Sequence, residues 1–454
     1  MVSARLTFAA AALYVCGAFA AAPLPKAEYL PAADVRVKSG TAYATVEAVR
    51  RKLFAARPEE LVFPFRRAAG LPDKCTPPAG SDGRELGFYL GAMSALCAAG
   101  KDDAAQDRVD YVVEELYGCA CASKDRWKRY FMTVPENDAF RNECPSFPAR
   151  TAYHVLAGLL DAHDLAGSER AFTLARNWID WFRDGWWKRT DDAKGRDARR
   201  AKWLEGDWAG LNRAFIGLYR DYGVVHYFHD GWNIFCRTSY FDAMRKDEYN
   251  FADGPAEVVA AKMEGVYMRH RITGWEELRK AAFAYLDYAR KTPKYGSDSD
   301  EATFDLMSLA ARAFEEEPSA ALMDFIDAKA AALAKSAEAT ARIGPADVHA
   351  ARPARYAYST SPQTVWINQY ITSTAVFRAK RLALVGRISG TEAKYTVRMK
   401  ESSIRQKFRF RSVRGSRPRV SVNGGAVQTR ACDDGYVEIV RDWSDGDEVA
   451  VHVR

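Results

Sequence analysis

Beyond residue 20 no stretch of this 454-residue sequence is long and apolar enough to cross a bilayer, so no membrane span is expected. Nor is there a basic patch interleaved with aromatics, which argues against nucleic acid as a partner. The net charge of +7 is a mild excess of 66 basic over 59 acidic residues on a mixed surface. The densest basic run, Arg196 to Lys202 (RDARRAK), reads as a solvated loop. Zinc-ligand spacing is missing as well. Cys119-x-Cys121 has only the distant Cys144 for company and no nearby histidine, short of the three or four converging ligands a zinc site needs. No metal and no cofactor is expected.

What is present begins with an export signal. Arg5 is a small basic start, Leu6 to Val15 is a short apolar run, and Ala18-Phe19-Ala20 is a small-x-small cleavage site. Residues 1–20 are therefore read as a signal peptide and the protein as secreted or periplasmic. Of eight cysteines, Cys16 leaves with the signal, and Val15 makes it a poor lipid-anchor site. Cys119, Cys121 and Cys144 bracket one long loop, where a disulfide is expected in an exported protein. Hydrophobic residues make up 48% of the chain, enough for a large core and two or three domains.

The organising unit is a helical hairpin, clearest between Thr151 and Phe182. Apolar residues recur at helical spacing from Val155 to Ala162, break at Ala166-Gly167-Ser168-Glu169, and resume from Phe172 to Phe182. Gly167 stands at a helix C-cap and Ser168 at the next N-cap. The same grammar gives Gly87–Ala98 with Ala104–Tyr117, Leu211–Tyr222 with Val224–Phe235, Ala256–Ile272 with Trp275–Arg290, and Thr303–Glu316 with Ala320–Lys335. A first helix, Thr45 to Ala56, precedes the turn-rich FPFRRAAGLP. About six such pairs, each burying its apolar face on its neighbours, predict an (α/α)6 toroid over residues 21–341.

Turns within hairpins are short, whereas loops between them are long: 118–150, 184–208, 236–254 and 291–302. The long loops must emerge on one end, the usual place for binding and chemistry. They carry Trp127, Tyr130, Phe131, Trp186, Trp187, Trp203, Trp208 and Tyr295 together with Asp207, Asp298, Asp300 and Glu301. Rings that stack on sugar faces beside carboxylates that bond hydroxyls suit an oligosaccharide. Any single tryptophan is nevertheless more often a packing plug. Residues 342–362, with Pro345, Pro353 and Pro362, read as a linker. In 363–454 the runs TVWINQYI, KYTVRM, KFRFRSV, GYVEIV and DEVAVHV alternate with period two between Asn-Gly and Asp-Gly turns, which predicts a β-sandwich. The fold class is thus mainly α with a C-terminal all-β domain.

Several of these segments, in this order, resemble glycoside hydrolase family 127, the β-L-arabinofuranosidase-like enzymes. They are ADVRVKSG with VFPFRRAAGLP, GRELGFYLGAMSAL, YHVLAGLLDA, EGDWAGLNRAFIGLY, RHRITGWEEL, TFDLMSLAARAF, and VSVNGGAV with GYVEIVRDWSDGDEVAV. The resemblance implies hydrolysis by a zinc-held cysteine with a glutamate acid/base. Its Glu-Thr-Cys segment falls on Ser299 to Glu301, where no cysteine stands. Its Cys-Cys pair would lie between Ser359-Thr360 and Trp366-Ile367-Asn368, where this chain is shortened, as is the acid/base stretch at Thr292 to Ser297. Histidines of the family's cleft are replaced by Arg84, Phe88, Tyr153 and Pro255, while Asn212 matches and Asp207 stands near a family glutamate.

Helix starts of successive hairpins converge on one mouth in a closed toroid and offer free N–H groups to a polar ligand. Asp207 and Glu301 are therefore the candidate catalytic carboxylates. Glu205 and Glu85 also lie on that end. Arg84, Glu85, Tyr153, His154, Trp208 and Asn212 are candidates for substrate binding, with Trp208 as stacking plane. Each acid is by default a solvated or helix-capping group, as Asp207 would be for a helix starting near Ala209. Three readings remain open at this level: a carboxylate-pair glycosidase, an inactive carbohydrate-binding relative, and an interaction protein of the cell envelope.

Overall fold

The computed structural model describes residues 24–76, 82–100, 102–139, 149–187, 210–235, 251 and 254–453. The signal-peptide residues 1–20, Cys144, Trp203, Glu205, Asp207, Trp208 and Cys236 lie outside them. The helices are α1 Thr41–Ala55, α2 Pro58–Ala68, α3 Arg84–Gly100, α4 Asp103–Ala122, α5 Ala149–Ala166, α6 Glu169–Trp181, α7 Leu211–Tyr222, α8 Val225–Phe235, α9 Ala256–Thr273, α10 Glu276–Lys291, α11 Asp300–Glu316, α12 Ala320–Ala339 and α13 Pro345–Ala350. No helix among the described residues is long and apolar enough to cross a membrane.

The hairpins form where the capping chemistry stands. The Ser168 hydroxyl accepts the Ala171 N–H, and Asp102, Ser299 and Ser319 cap α4, α11 and α12 in the same way. Gly167 takes φ 72, the left-handed turn that lets α5 stop within one residue. Inner helices α3, α5, α7, α9 and α11 pack side by side in that order, and α13 packs against both α11 and α3 to close the ring. Helix α9 is buried on nearly its whole circumference, as an inner position requires. The closest approach is between α3 and α5. A Cβ on Gly87 would stand 2.2 Å from the His154 carbonyl oxygen, and one on Gly158 2.4 Å from that of Gly87.

Four features depart from the sequence reading. FPFRRA is helical, as part of α2: Pro58 opens the helix where its missing N–H costs nothing, and the buried face Val62, Phe63 and Phe65 outweighs the bond lost at Pro64. Helix α4 runs on to Ala122, so Cys119 is in the core and Cys121 exposed on the same helix. Both are free thiols, since a helix turns such positions apart. Tyr130 and Phe131 are core residues, whereas Trp127 is 62% exposed. The stretch 342–362 carries α13 and the strand β3 Tyr358–Ser361, both held by burial.

Two antiparallel-rich sheets form the sandwich. One has the order β1-β3-β4-β8-β12-β11, the other β10-β9-β13-β7-β6-β5-β2. Strands β4 Thr364–Ile367, β5 Ser373–Phe377, β6 Leu382–Ser389, β7 Glu392–Met399, β8 Ile404–Arg411, β9 Arg419–Val422, β10 Gly425–Ala426, β11 Arg430–Ala431, β12 Tyr436–Trp443 and β13 Glu448–His452 follow the alternating runs. Strands β1 Glu28–Tyr29 and β2 Val35–Val37 come from the opposite end of the chain and add one edge to each sheet. Tyr29 stacks on Phe314 of α11 and meets Tyr356 edge-on, with ring centroids 5.4 and 5.2 Å apart. Trp366 and Tyr436 continue that cluster, fastening the sandwich to α11 and α12.

Candidate functional site

Glu301 lies in the first turn of α11, where a carboxylate meets the positive end of the helix dipole. Two further helix starts bring donors to it. Arg150 Nε of α5 is 2.6 Å from Oε2, His154 Nε2 one turn later is 3.0 Å from the same oxygen, and Arg84 Nη1 of α3 is 3.4 Å from Oε1. Arg84 is itself steered by Asp82, at 2.6 Å, and Arg150 also reaches Glu257 at the start of α9, at 3.6 Å. The Phe88 ring covers His154, with centroids 4.4 Å apart.

One turn deeper on α11 is Asp305, whose Oδ1 accepts the Tyr153 hydroxyl at 3.4 Å. Arg213 is 3.9 Å from that oxygen and 2.8 Å from Glu264 Oε2, while Arg312 holds the other oxygen of Glu264 at 2.8 Å. Glu264 is fully buried. At the far side Arg352 pairs with Asp161 at 2.9 Å. The inner helices thus enclose stacked layers of charge. A cavity of about 40 Å³ is bounded by Tyr153, His154, Arg213, Glu301 and Asp305.

Glu301 and Asp305, both on α11, are shifted in opposite directions. Burial pushes Glu301 upward, but the hydrogen bond and charge of His154, followed by the charge and hydrogen bond of Arg150, hold its carboxyl down at about 2. His154 is itself pulled down by burial, against the opposing pull of the Glu301 carboxylate. Asp305 is raised well above the ordinary aspartate value, first by burial and then by the Glu264 charge. Because Glu301 is depressed on folding, its stabilisation is complete above the unfolded value and is lost as pH falls toward 2. With the side chain 16% exposed, this amounts to about 3 kcal/mol. Urea denaturation from pH 5 to pH 2 should show that loss in the wild type, and Glu301→Gln should flatten it.

Of the residues singled out from sequence, Glu301, Arg84, Tyr153 and His154 meet in this cluster. Glu85 does not: it turns outward to Arg342 Nε, at 2.8 Å, and the Ile343 N–H. Asn212 is fully buried between α7 and α9, where a Cβ on Gly265 would come within 2.6 Å of its Nδ2, so it has no access to a ligand. Arg150, Arg213, Glu264 and Asp305 were missed. The signal for the two acids is one carboxylate set in a mostly apolar inner helix, as in TFDLMSLAA and VVAAKMEGV.

The zinc implied by the resemblance does not fit the described residues. Glu301 is ringed by guanidinium groups, which carry positive charge and offer no lone pair to a metal. No group of three or more His, Cys, Asp or Glu side chains converges among the described residues. Where the Cys-Cys pair would fall, β3 and β4 are joined by a two-residue turn at Pro362-Gln363, with Ser361 opposite Thr364.

The sequence description "Beta-L-arabinofuranosidase, GH127 catalytic domain" matches residues 34–230, and "Beta-L-arabinofuranosidase, GH127 middle domain" matches residues 364–454. No curated protein matches the sequence. Among solved structures, a GH127 β-arabinofuranosidase superposes with a TM-score of 0.73 at 16% identity, covering 95% of this chain and 81% of that one. A GH127 β-L-arabinofuranosidase from Geobacillus stearothermophilus T6 gives 0.69 at 16% identity, over 92% and 81%. A third structure, described as a glycoside hydrolase, gives 0.65 at 14% identity, over 94% and 78%. Those likenesses establish the shared architecture of helical toroid and sandwich, and with both domain descriptions matched in order, the chain belongs to glycoside hydrolase family 127.

Proposed function

We propose that this protein is an exported glycoside hydrolase acting on arabinofuranoside-type glycans through two carboxyl groups of one helix, Glu301 and Asp305, without zinc-thiolate chemistry. The observation that carries the reading is the divergence of their ionisation on a shared helix face. A carboxylate and a carboxylic acid held side by side are what glycoside hydrolysis requires. Positions i and i+4 put their Cβ atoms about 5–6 Å apart, and both side chains line the same cavity.

In this scheme Glu301 faces the anomeric carbon with Oε1, the oxygen whose single contact is the long one to Arg84. Arg150 and His154 fix its plane through Oε2. Asp305 gives its proton to the departing glycosidic oxygen and later accepts one from water. The 40 Å³ cavity admits the reacting oxygen or one water, whose share of liquid volume is about 30 Å³. The sugar ring then sits above Glu301, among the helix starts that carry Arg84 and Arg150.

A second reading, glycan binding without turnover, draws support from the saturation of Glu301, whose two oxygens meet three donors. Release of p-nitrophenol from α- and β-L-arabinofuranosides, alongside calorimetry with arabinan oligosaccharides, separates the two. Turnover that Glu301→Gln abolishes supports hydrolysis. Binding without turnover moves the assignment to the second reading, and neither one ends the carbohydrate assignment.

A further inference from the structure

Apart from the axial site, a cleft of about 390 Å³ lies where the N-terminal strands, α1, the end of α3 and residues 351–355 meet. Its volume is in the range of small-molecule sites, about 300–1,000 Å³. Leu30, Val35, Val37, Val46, Leu96 and Ala99 make an apolar wall. Tyr43, 43% exposed, stands at its edge.

The polar end of the cleft is cationic and incompletely matched. The Arg352 side chain is 8% exposed and bonds Asp161 through Nη2, yet its Nε has no hydrogen-bond partner and no contact with solvent. The half-buried Arg355 guanidinium has no carboxylate within ion-pair distance among the described residues; it lies 5.4 Å from the Tyr356 ring centroid, and Asp161 and Glu264 act on it only at longer range. Arg36 and Arg50 add two more cations against Glu47 and Asp102, and Asp102 is already taken by Arg50 at 2.8 Å. Arg355 is thus the guanidinium without a directly paired carboxylate among the described residues, and a ligand carboxylate would offer it a charge-assisted acceptor.

We propose that this cleft is a binding site for a small amphipathic carboxylate, its aliphatic tail along the Leu30–Val46–Ala99 wall and its head group on Arg352 and Arg355. The site is independent of the hydrolase reading. Arg355 nevertheless borders both this cleft and the axial cavity, so an occupant would touch a group that faces Asp305's enclosure.

Calorimetric titration of the intact protein with octanoate tests the site, with octanol as the neutral-headed probe. Octanoate should bind at one saturable site and octanol at least about tenfold more weakly, the difference expected of a charge-assisted pair. Ala99→Trp, which fills the apolar wall, should abolish binding, and Arg355→Gln should weaken it at least about tenfold. Unsaturable heats, equal binding of octanol, or octanoate binding unchanged in Ala99→Trp would each overturn the proposal. The two wild-type titrations decide it even where a variant fails to fold.

Discussion

Asp305→Asn should lower kcat on arabinofuranosyl oligosaccharides about 10²- to 10⁴-fold, the contribution of a positioned general acid. The loss should be much smaller on a p-nitrophenyl glycoside, whose leaving group departs without a proton. A deficit of equal size on both substrates would remove Asp305 from the acid role. The pH profile carries the same information. The proposed mechanism requires Glu301 ionised and Asp305 protonated, so it predicts an acid limb near Glu301's value of about 2 and an alkaline decline that follows Asp305's raised one. Asparagine cannot titrate, so the residual activity of the variant should lose its alkaline decline. Stability supplies a further check. A carboxyl raised on folding contributes fully below its unfolded value and loses that contribution as pH rises through the folded one. The wild type should therefore weaken on the alkaline side relative to Asp305→Asn.

Glu264→Ala should cost about 3–5 kcal/mol, the range for removing one partner from a buried ion pair. Glu264 has no exposed surface and binds Arg213 and Arg312 at 2.8 Å each, so its loss takes from both guanidinium groups their nearest carboxylate. The exposed pair Arg57–Glu60 has the same 2.8 Å separation, but truncating it should cost no more than about 1 kcal/mol. Urea denaturation at neutral pH measures both. The Glu264 variant also reaches the chemistry. Its charge helps hold Asp305 protonated, so removing it should move the alkaline decline of activity to lower pH. A large stability loss with an unmoved pH profile would uncouple the two acids.

Periodicity made the hairpins legible because each carries enough turns to repeat its apolar face, and Gly167-Ser168 marks the break with its own capping chemistry. It could not reveal β1 and β2, which have two and three residues and too few positions to alternate. Pro64 disguised α2. At the site, hairpin starts correctly grouped Arg84, His154 and Glu301. Glu85 and Asn212 share that position in sequence, but each successive residue turns to a new direction around its helix, and the two leave the mouth. Arg150 and Arg213 were illegible because their roles arise from distances between helices far apart in the chain. Asp305 and Glu264 were legible in principle, as acids in the mostly apolar stretch of an inner helix.

The two short strands at the start of the chain set the order in which the molecule is completed. Glu28 pairs with Thr360 and Val35 with Ala375, so segments made first wait for partners made more than three hundred residues later. Joining ends that distant carries a larger entropic cost than forming any hairpin, and contacts of such separation are slow to form. Until they form, β3 and β5 each present a bare row of backbone donors and acceptors, a template for another chain. A chain that emerges N-terminus first therefore has its toroid segments available to pack before its sandwich edges are covered, and the interval between those events is when self-association competes with folding.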